Sequence, residues 1–160
     1  MSVQIPLENI KKPLLEALDE TFSNVHGIYL DKRTTLFETL NGVSAAEASS
    51  AASKNSATIA AQVEHLRFYL DVLNDFMKTN EIKKINWREI WDTVHTVTPE
   101  EWENMKTRLR ESHANVMNTI NAFDKWDGEY DFAGVLSIVV HTAYHLGGIR
   151  QALGVIRAKD

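Results

Sequence analysis

Glycine and proline, the residues that most often interrupt regular secondary structure, are rare in this chain. Its 160 residues include only 7 Gly and 3 Pro, which leaves room for long regular segments, usually helices. Apolar residues recur at steps of three and four, the spacing of one face of an α-helix. No stretch alternates apolar and polar residues as a half-buried strand would. The sequence therefore predicts an all-α protein.

Four long amphipathic helices account for most of the chain. They are predicted at residues 15–41, 57–80, 98–123 and 131–157. Their apolar stripes must be buried against one another, and a four-helix bundle does this with a single core. The links between the first three helices exceed ten residues, which allows long crossover connections instead of tight hairpins. We therefore expect one bundle domain over residues 1–160.

Two local signals mark helix starts in these links. Thr98 and Glu101 have the spacing of a capping box, and Pro99 suits the first helical position. Ser44 and Glu47 have the same spacing and predict a short helical turn. A further short helix is predicted within residues 81–97, where Trp87 and Trp91 are four residues apart and would share one helix face.

Composition limits the partners and the compartment. The formal net charge is −5, from 17 Lys and Arg against 22 Asp and Glu, which argues against a surface for nucleic acid or anionic lipid. The chain has no cysteine, and so has no disulfides, thiolate ligands or cysteine nucleophile. Its first residues lack signal-peptide features. The longest apolar run, residues 133–140, is far shorter than the roughly 20 residues that span a bilayer. We expect a cytoplasmic protein with no nucleic-acid or membrane partner.

The histidines are the candidate chemical groups. Of the six in the chain, His141 and His145 are four residues apart on the last predicted helix and project from one face. Two imidazoles so placed can bind one metal ion, although a half-buried pair without metal has the same spacing. The stripe that contains them also includes Ile138 and Ala152 and should face the core. Buried imidazole nitrogens need partners, and a metal would supply one.

A third ligand would come from another helix. His65 lies beside the apolar stripe of the second helix and is the best candidate, with an ordinary boundary histidine as the alternative. His113 on the third helix competes for this role, and packing is its simpler explanation. His26 and His95 have no useful spacing to the pair.

Three segments resemble those of the DinB-like metal-binding proteins. They are VEHLRFYL at 63–70, VTPEEW at 97–102 and HTAYHLGGIRQAL at 141–153, and the similarity extends over almost the whole chain. The family includes YfiT-like metal-dependent hydrolases and thiol-dependent S-transferases. The resemblance implies a four-helix bundle with one divalent metal ion, zinc or nickel above all, held by His65, His141 and His145. It also implies a homodimer. One departure is Gly148, where the family often has glutamine.

The resemblance implies two chemistries for a small-molecule substrate. In the first, the metal activates a low-molecular-weight thiol to attack an electrophile; in the second, metal-activated water hydrolyses a small ester or amide. A third possibility is a non-catalytic bundle that binds a partner and is stabilised by its metal. No catalytic residue is assigned: Tyr69 and Tyr144 are candidates to line the open side of the metal, Gln62 to support a ligand, and Glu64 is expected to be solvated.

Overall fold

The computed structural model describes residues 5–81, 83–126, 128 and 130–159. Over these residues the chain forms seven α-helices and no β-strand, with one isolated bridge between Ala51 and Thr58. The helices are α1 (Glu8–Phe22), α2 (Leu36–Asn41), α3 (Ala45–Ala48), α4 (Ile59–Thr79), α5 (Glu89–Thr93), α6 (Pro99–Ala122) and α7 (Asp131–Arg157). The all-α prediction is confirmed for the described residues. The prediction that the chain lacks a signal peptide rests partly on residues 1–4, which lie outside the described residues.

The four long helices share one apolar core. Helix α4 packs against α6 and α7, while α1 packs against α7 and α6, so that α4 and α7 are neighbours. Trp102, Phe22 and Leu66 are among the largest fully buried side chains. The indole N–H of Trp102 donates to the Val43 carbonyl at 2.7 Å, which fixes the α2–α3 turn against α6.

The prediction of one long first helix is wrong. Helix α1 ends at Phe22, residues 23–35 are irregular, and α2 starts only at Leu36. The reason is Glu20, whose fully buried carboxylate accepts hydrogen bonds from four backbone N–H groups beyond the end of α1. Gly27 allows this path with a φ of 79°.

The predicted helix starts are confirmed. Thr98 and Ser44 each accept a hydrogen bond from the backbone of a glutamate three residues on, and that glutamate bonds back to the cap. Helix α4 begins after the cap Thr58 and ends at Asn80, whose φ of 55° is left-handed. The short helix predicted within residues 81–97 is α5, and it includes Trp91 but not Trp87.

Helix α7 has the length and mean hydropathy of a membrane span, with a mean of 1.4 over its most apolar window. Core helices of soluble proteins meet the same criterion, and α7 contributes buried residues along the side that packs on α1 and α4. The expectation that no segment crosses a membrane therefore stays a prediction.

Candidate metal centre

Three histidines meet between α4 and α7. His65 projects from α4, and His141 and His145 project from successive turns of α7. One nitrogen of each ring lies within 4.8 Å of those of the other two. The Nε2 atoms of His65 and His141 are 3.0 Å apart. Among the described residues this is the one group of three or more histidine or acidic side chains so arranged.

Burial keeps these imidazoles neutral. Burial, together with a smaller effect of the neighbouring imidazoles, lowers the pKa of His65 to about 4 and that of His145 to about 3. Burial also lowers the pKa of His141. Neutral imidazole is the form that binds a metal ion. The three rings are therefore in the ligating form at neutral pH.

The donor set is suitable for a divalent metal ion. Nitrogen–metal bonds of about 2.0–2.1 Å place two ligands of a tetrahedral ion roughly 3.3 Å apart, close to the 3.0 Å between His65 and His141. Among the described residues, no carboxylate joins the group of three rings. The buried Nδ1 of His65 also has no hydrogen-bond partner within them, so this candidate ligand lacks the acceptor that usually orients a metal-binding imidazole.

Aromatic side chains hold the histidines instead. The ring of Tyr69 stacks on His141 with centroids 3.9 Å apart. Trp91 lies over His65 at 4.5 Å and parallel to His145 at 6.3 Å. Aromatic rings therefore lie against all three imidazoles.

Two further aromatic residues border the centre. Trp87 meets His65 edge-on at 6.3 Å between ring centroids, and Tyr144 meets His145 edge-on at 5.2 Å while 76% exposed. Tyr69 and Tyr144 are the predicted neighbours of the centre, whereas nothing in the sequence predicts a role there for Trp87 and Trp91. Their four-residue spacing was the available signal, but it did not indicate which helix they would cover.

The other histidines lie elsewhere. His113 stacks on Phe22 at 4.3 Å and meets Phe37 edge-on, and burial lowers its pKa to about 4. It belongs to the core, as its simpler explanation required. His26 pairs with Asp19 at 2.7 Å, and His95 is exposed in the connection after α5.

Glu64 and Gln62, the polar residues near His65 in sequence, form no hydrogen bond with its imidazole. Glu64 was expected to be solvated, but its side chain is only 14% exposed and pairs with Arg67 at 2.6 Å. It also lies 3.7 Å from Arg108. The side chain of Gln62 lies against α7 at Gly148. A Cβ atom added to Gly148 would lie 3.1 Å from the Gln62 Oε1. The glycine therefore gives room to a glutamine from the facing helix.

Two cavities flank the histidines along α4. Toward its start, a cavity of about 570 Å³ is bordered by Trp91 and Ala61 and by the polar residues Lys54, Asn55 and Thr58. Toward its end, an apolar cavity of about 300 Å³ begins at Trp87. Each cavity thus shares one tryptophan with the histidine group.

Comparisons with known proteins gave no match: no protein-family model, no curated protein and no solved structure matches this chain. The three-histidine geometry is therefore the basis for what is proposed next.

Proposed function

We propose that the protein binds one divalent metal ion, zinc or nickel, through His65, His141 and His145, and that it is a four-helix bundle of the DinB-like class. The observation that carries the proposal is the convergence of three neutral imidazole nitrogens within 4.8 Å. Three protein ligands leave at least one coordination position open, the pattern of a catalytic site and not of a structural one.

We further propose that the protein is a thiol S-transferase. A metal ion at this site would favour the thiolate form of a low-molecular-weight thiol at neutral pH. The sulfur would form a bond to an electrophilic carbon, the leaving group would depart with its electron pair, and the thiol proton would pass to solvent. The polar cavity beside Trp91, which includes Lys54 and Asn55, is suited to a polar thiol.

The lack of a carboxylate in the histidine group favours transfer over hydrolysis. Hydrolysis at a metal site commonly uses a carboxylate as general base, and among the described residues no carboxylate belongs to the three-histidine group. Hydrolysis and a purely stabilising metal remain the competing outcomes of the experiments below.

Metal content tests the ligand set. Purified, tag-free protein should contain about one equivalent of metal by elemental mass spectrometry after incubation with zinc or nickel and desalting. Alanine at position 65, 141 or 145 should abolish tight binding. His113→Ala is the control, because it also removes a buried imidazole but lies in the core against Phe22.

The same control variant can also contradict the proposed ligand set. If His113→Ala loses metal while His65→Ala keeps it, the proposed ligand set is wrong. Turnover then separates the chemistries: loss of an electrophile only when thiol and metal are both present supports transfer, and metal-dependent ester cleavage without thiol supports hydrolysis. Loss of helicity on chelation, without turnover, supports a structural metal.

We also propose that the protein is a homodimer that pairs through the outer face of α7. This face exposes Phe132, Leu136 and Val140 in its first half, and the exposed glycines 147 and 154 lie in its second half. Antiparallel pairing about residue 144 would place the bulky half of one copy against the glycines of the other. Such a pairing is self-complementary, as a two-fold interface requires.

Light scattering during gel filtration tests this pairing. Wild-type protein should elute as a dimer, and Val140→Lys as a monomer. Ile28→Lys places the same charge at another exposed apolar residue and should remain dimeric. A monomeric wild-type protein, or a dimeric Val140→Lys variant, would contradict the proposal.

A further inference from the structure

One face of α4 continues from the histidine group into the apolar cavity. His65, Tyr69, Leu73 and Phe76 follow one another at steps of four, four and three, and so line the same side of the helix. His65 and Tyr69 belong to the candidate metal centre, whereas Leu73 and Phe76 line the cavity. The distance from His65 to Leu73 along the axis is about 12 Å at 1.5 Å per residue.

Trp87 lies over the middle of this row. Its ring is 6.3 Å from that of His65 and 5.8 Å from that of Tyr69, and it also forms a wall of the cavity. The ring of Phe68 meets that of Trp87 edge-on, with centroids 5.7 Å apart. Trp87 is 37% exposed. Trp87 therefore contacts both the histidine group and the cavity, and a ligand that follows α4 would pass it.

The cavity is lined mainly by apolar side chains. Val72, Leu73, Phe76, Ile85 and Trp87 form its apolar wall. The charged residues that complete the lining are Asp75 and Lys83, which pair with each other, and Glu81. Its volume of about 300 Å³ is at the lower end of the range for small-molecule sites. Such a cavity favours hydrocarbon over polar groups.

We propose that this cavity binds the apolar chain or ring of the substrate, whose polar end reaches the three histidines. The substrate class is thus an elongated molecule with a hydrocarbon part at one end and a metal-binding oxygen or sulfur, or an electrophilic carbon, at the other. This inference rests on the proposed metal site and adds the side chains that select the substrate.

A pair of hydroxamates tests the inference, because both have the same metal-binding head. Acetohydroxamic acid has one methyl group, and octanohydroxamic acid has a chain long enough to leave the histidine group. Calorimetric titration of zinc-loaded protein should give at least ten-fold tighter binding of the octanoyl compound, since each buried methylene contributes roughly four-fold.

Matched variants locate the hydrocarbon chain. Val72→Asp, which introduces a charge into the cavity, should reduce the difference between the two hydroxamates to less than three-fold. Val155→Asp makes the same change at an exposed position of α7 and should retain the full difference. Val72→Phe, which fills the cavity without a charge, should also weaken binding of the octanoyl compound if Val72→Asp fails to fold.

The possible results distinguish this inference from the proposal on which it rests. Equal affinity of both hydroxamates for zinc-loaded wild-type protein would overturn the apolar subsite and leave the metal site standing. Retention of the full difference in both Val72 variants would also overturn it. Failure of the wild-type protein to bind zinc would remove the metal site and the inference together.

Discussion

Glu20 is the residue on which the end of α1 depends. Its side chain has no exposed surface, and its two oxygens accept hydrogen bonds from the backbone of His26, Ile28, Tyr29 and Leu30 at 2.5–3.0 Å. Burial alone would raise the pKa of this carboxyl group, but the four donors outweigh burial and lower the pKa to about 2. The ionised carboxylate thus accepts the backbone N–H groups that would otherwise donate to carbonyl groups within a continuing helix.

We expect Glu20→Gln to destabilise the protein by about 3 kcal/mol at pH 7, because hydrogen bonds to a buried charge are each worth about 1.5–3 kcal/mol. The folded-state pKa lies below the unfolded value near 4.5, so the contribution is present above pH 4.5 and is lost as pH falls toward 2. Urea unfolding from pH 7 to pH 3 should show the two proteins converging in stability. A constant difference over this range would contradict the role of the charge.

The sequence predicted the three clustered histidines better than the residues around them. The spacing of His141 and His145 defined a pair on one helix face, and His65 followed from its place beside an apolar stripe and from the family resemblance. Trp87 and Trp91 could not be assigned, because their contacts with His65 depend on how the connection after α4 folds back. Helical periodicity does not predict how a connection folds back onto a helix.

At the scale of the elements, prediction succeeded where signals were local. The caps of α6 and α3 and the bounds of α7 follow from residues within one or two turns. The break at residues 23–35 did not, because apolar residues continue at near-helical spacing while Glu20 binds the backbone up to ten residues away. The burial of Glu20 is seen only in the structure, so helical periodicity alone does not predict this break.

The two adjacent glycines of α7 give a matched test of helix propensity. Alanine is favoured over glycine within a helix by about 1 kcal/mol, and a Cβ on Gly147 would have no atom within 4 Å beyond its own helix. We expect Gly147→Ala to stabilise the protein by about 0.5–1 kcal/mol. Gly148→Ala should gain less, because the Gln62 side chain must shift. Thermal unfolding of both variants at low protein concentration measures the difference, and a larger gain at 148 would contradict the contact.

At the scale of the whole molecule, the proposed metal site joins helices that are distant in sequence. His65 and His141 are separated by 76 positions, and α4 and α7 pack side by side. A ligand that binds only the folded state stabilises it by about 2.7 kcal/mol at a hundred-fold excess over its Kd.

We therefore expect zinc to raise the Tm of the wild-type protein by several degrees in differential scanning fluorimetry. His141→Ala should respond little, and His113→Ala should respond like the wild type from a lower starting Tm. An equal rise in the His141→Ala variant would indicate that zinc stabilises the protein elsewhere.

Because Trp91 lies against His65 and His145, its fluorescence should respond to a metal ion bound at the proposed centre. An indole held 4.5 Å from one proposed ligand and 6.3 Å from another is near enough for an open-shell ion such as nickel or copper to quench its emission, whereas closed-shell zinc has no electronic state that accepts this energy. Quenching of the intrinsic fluorescence of the unlabelled chain would thus distinguish bound nickel or copper from bound zinc.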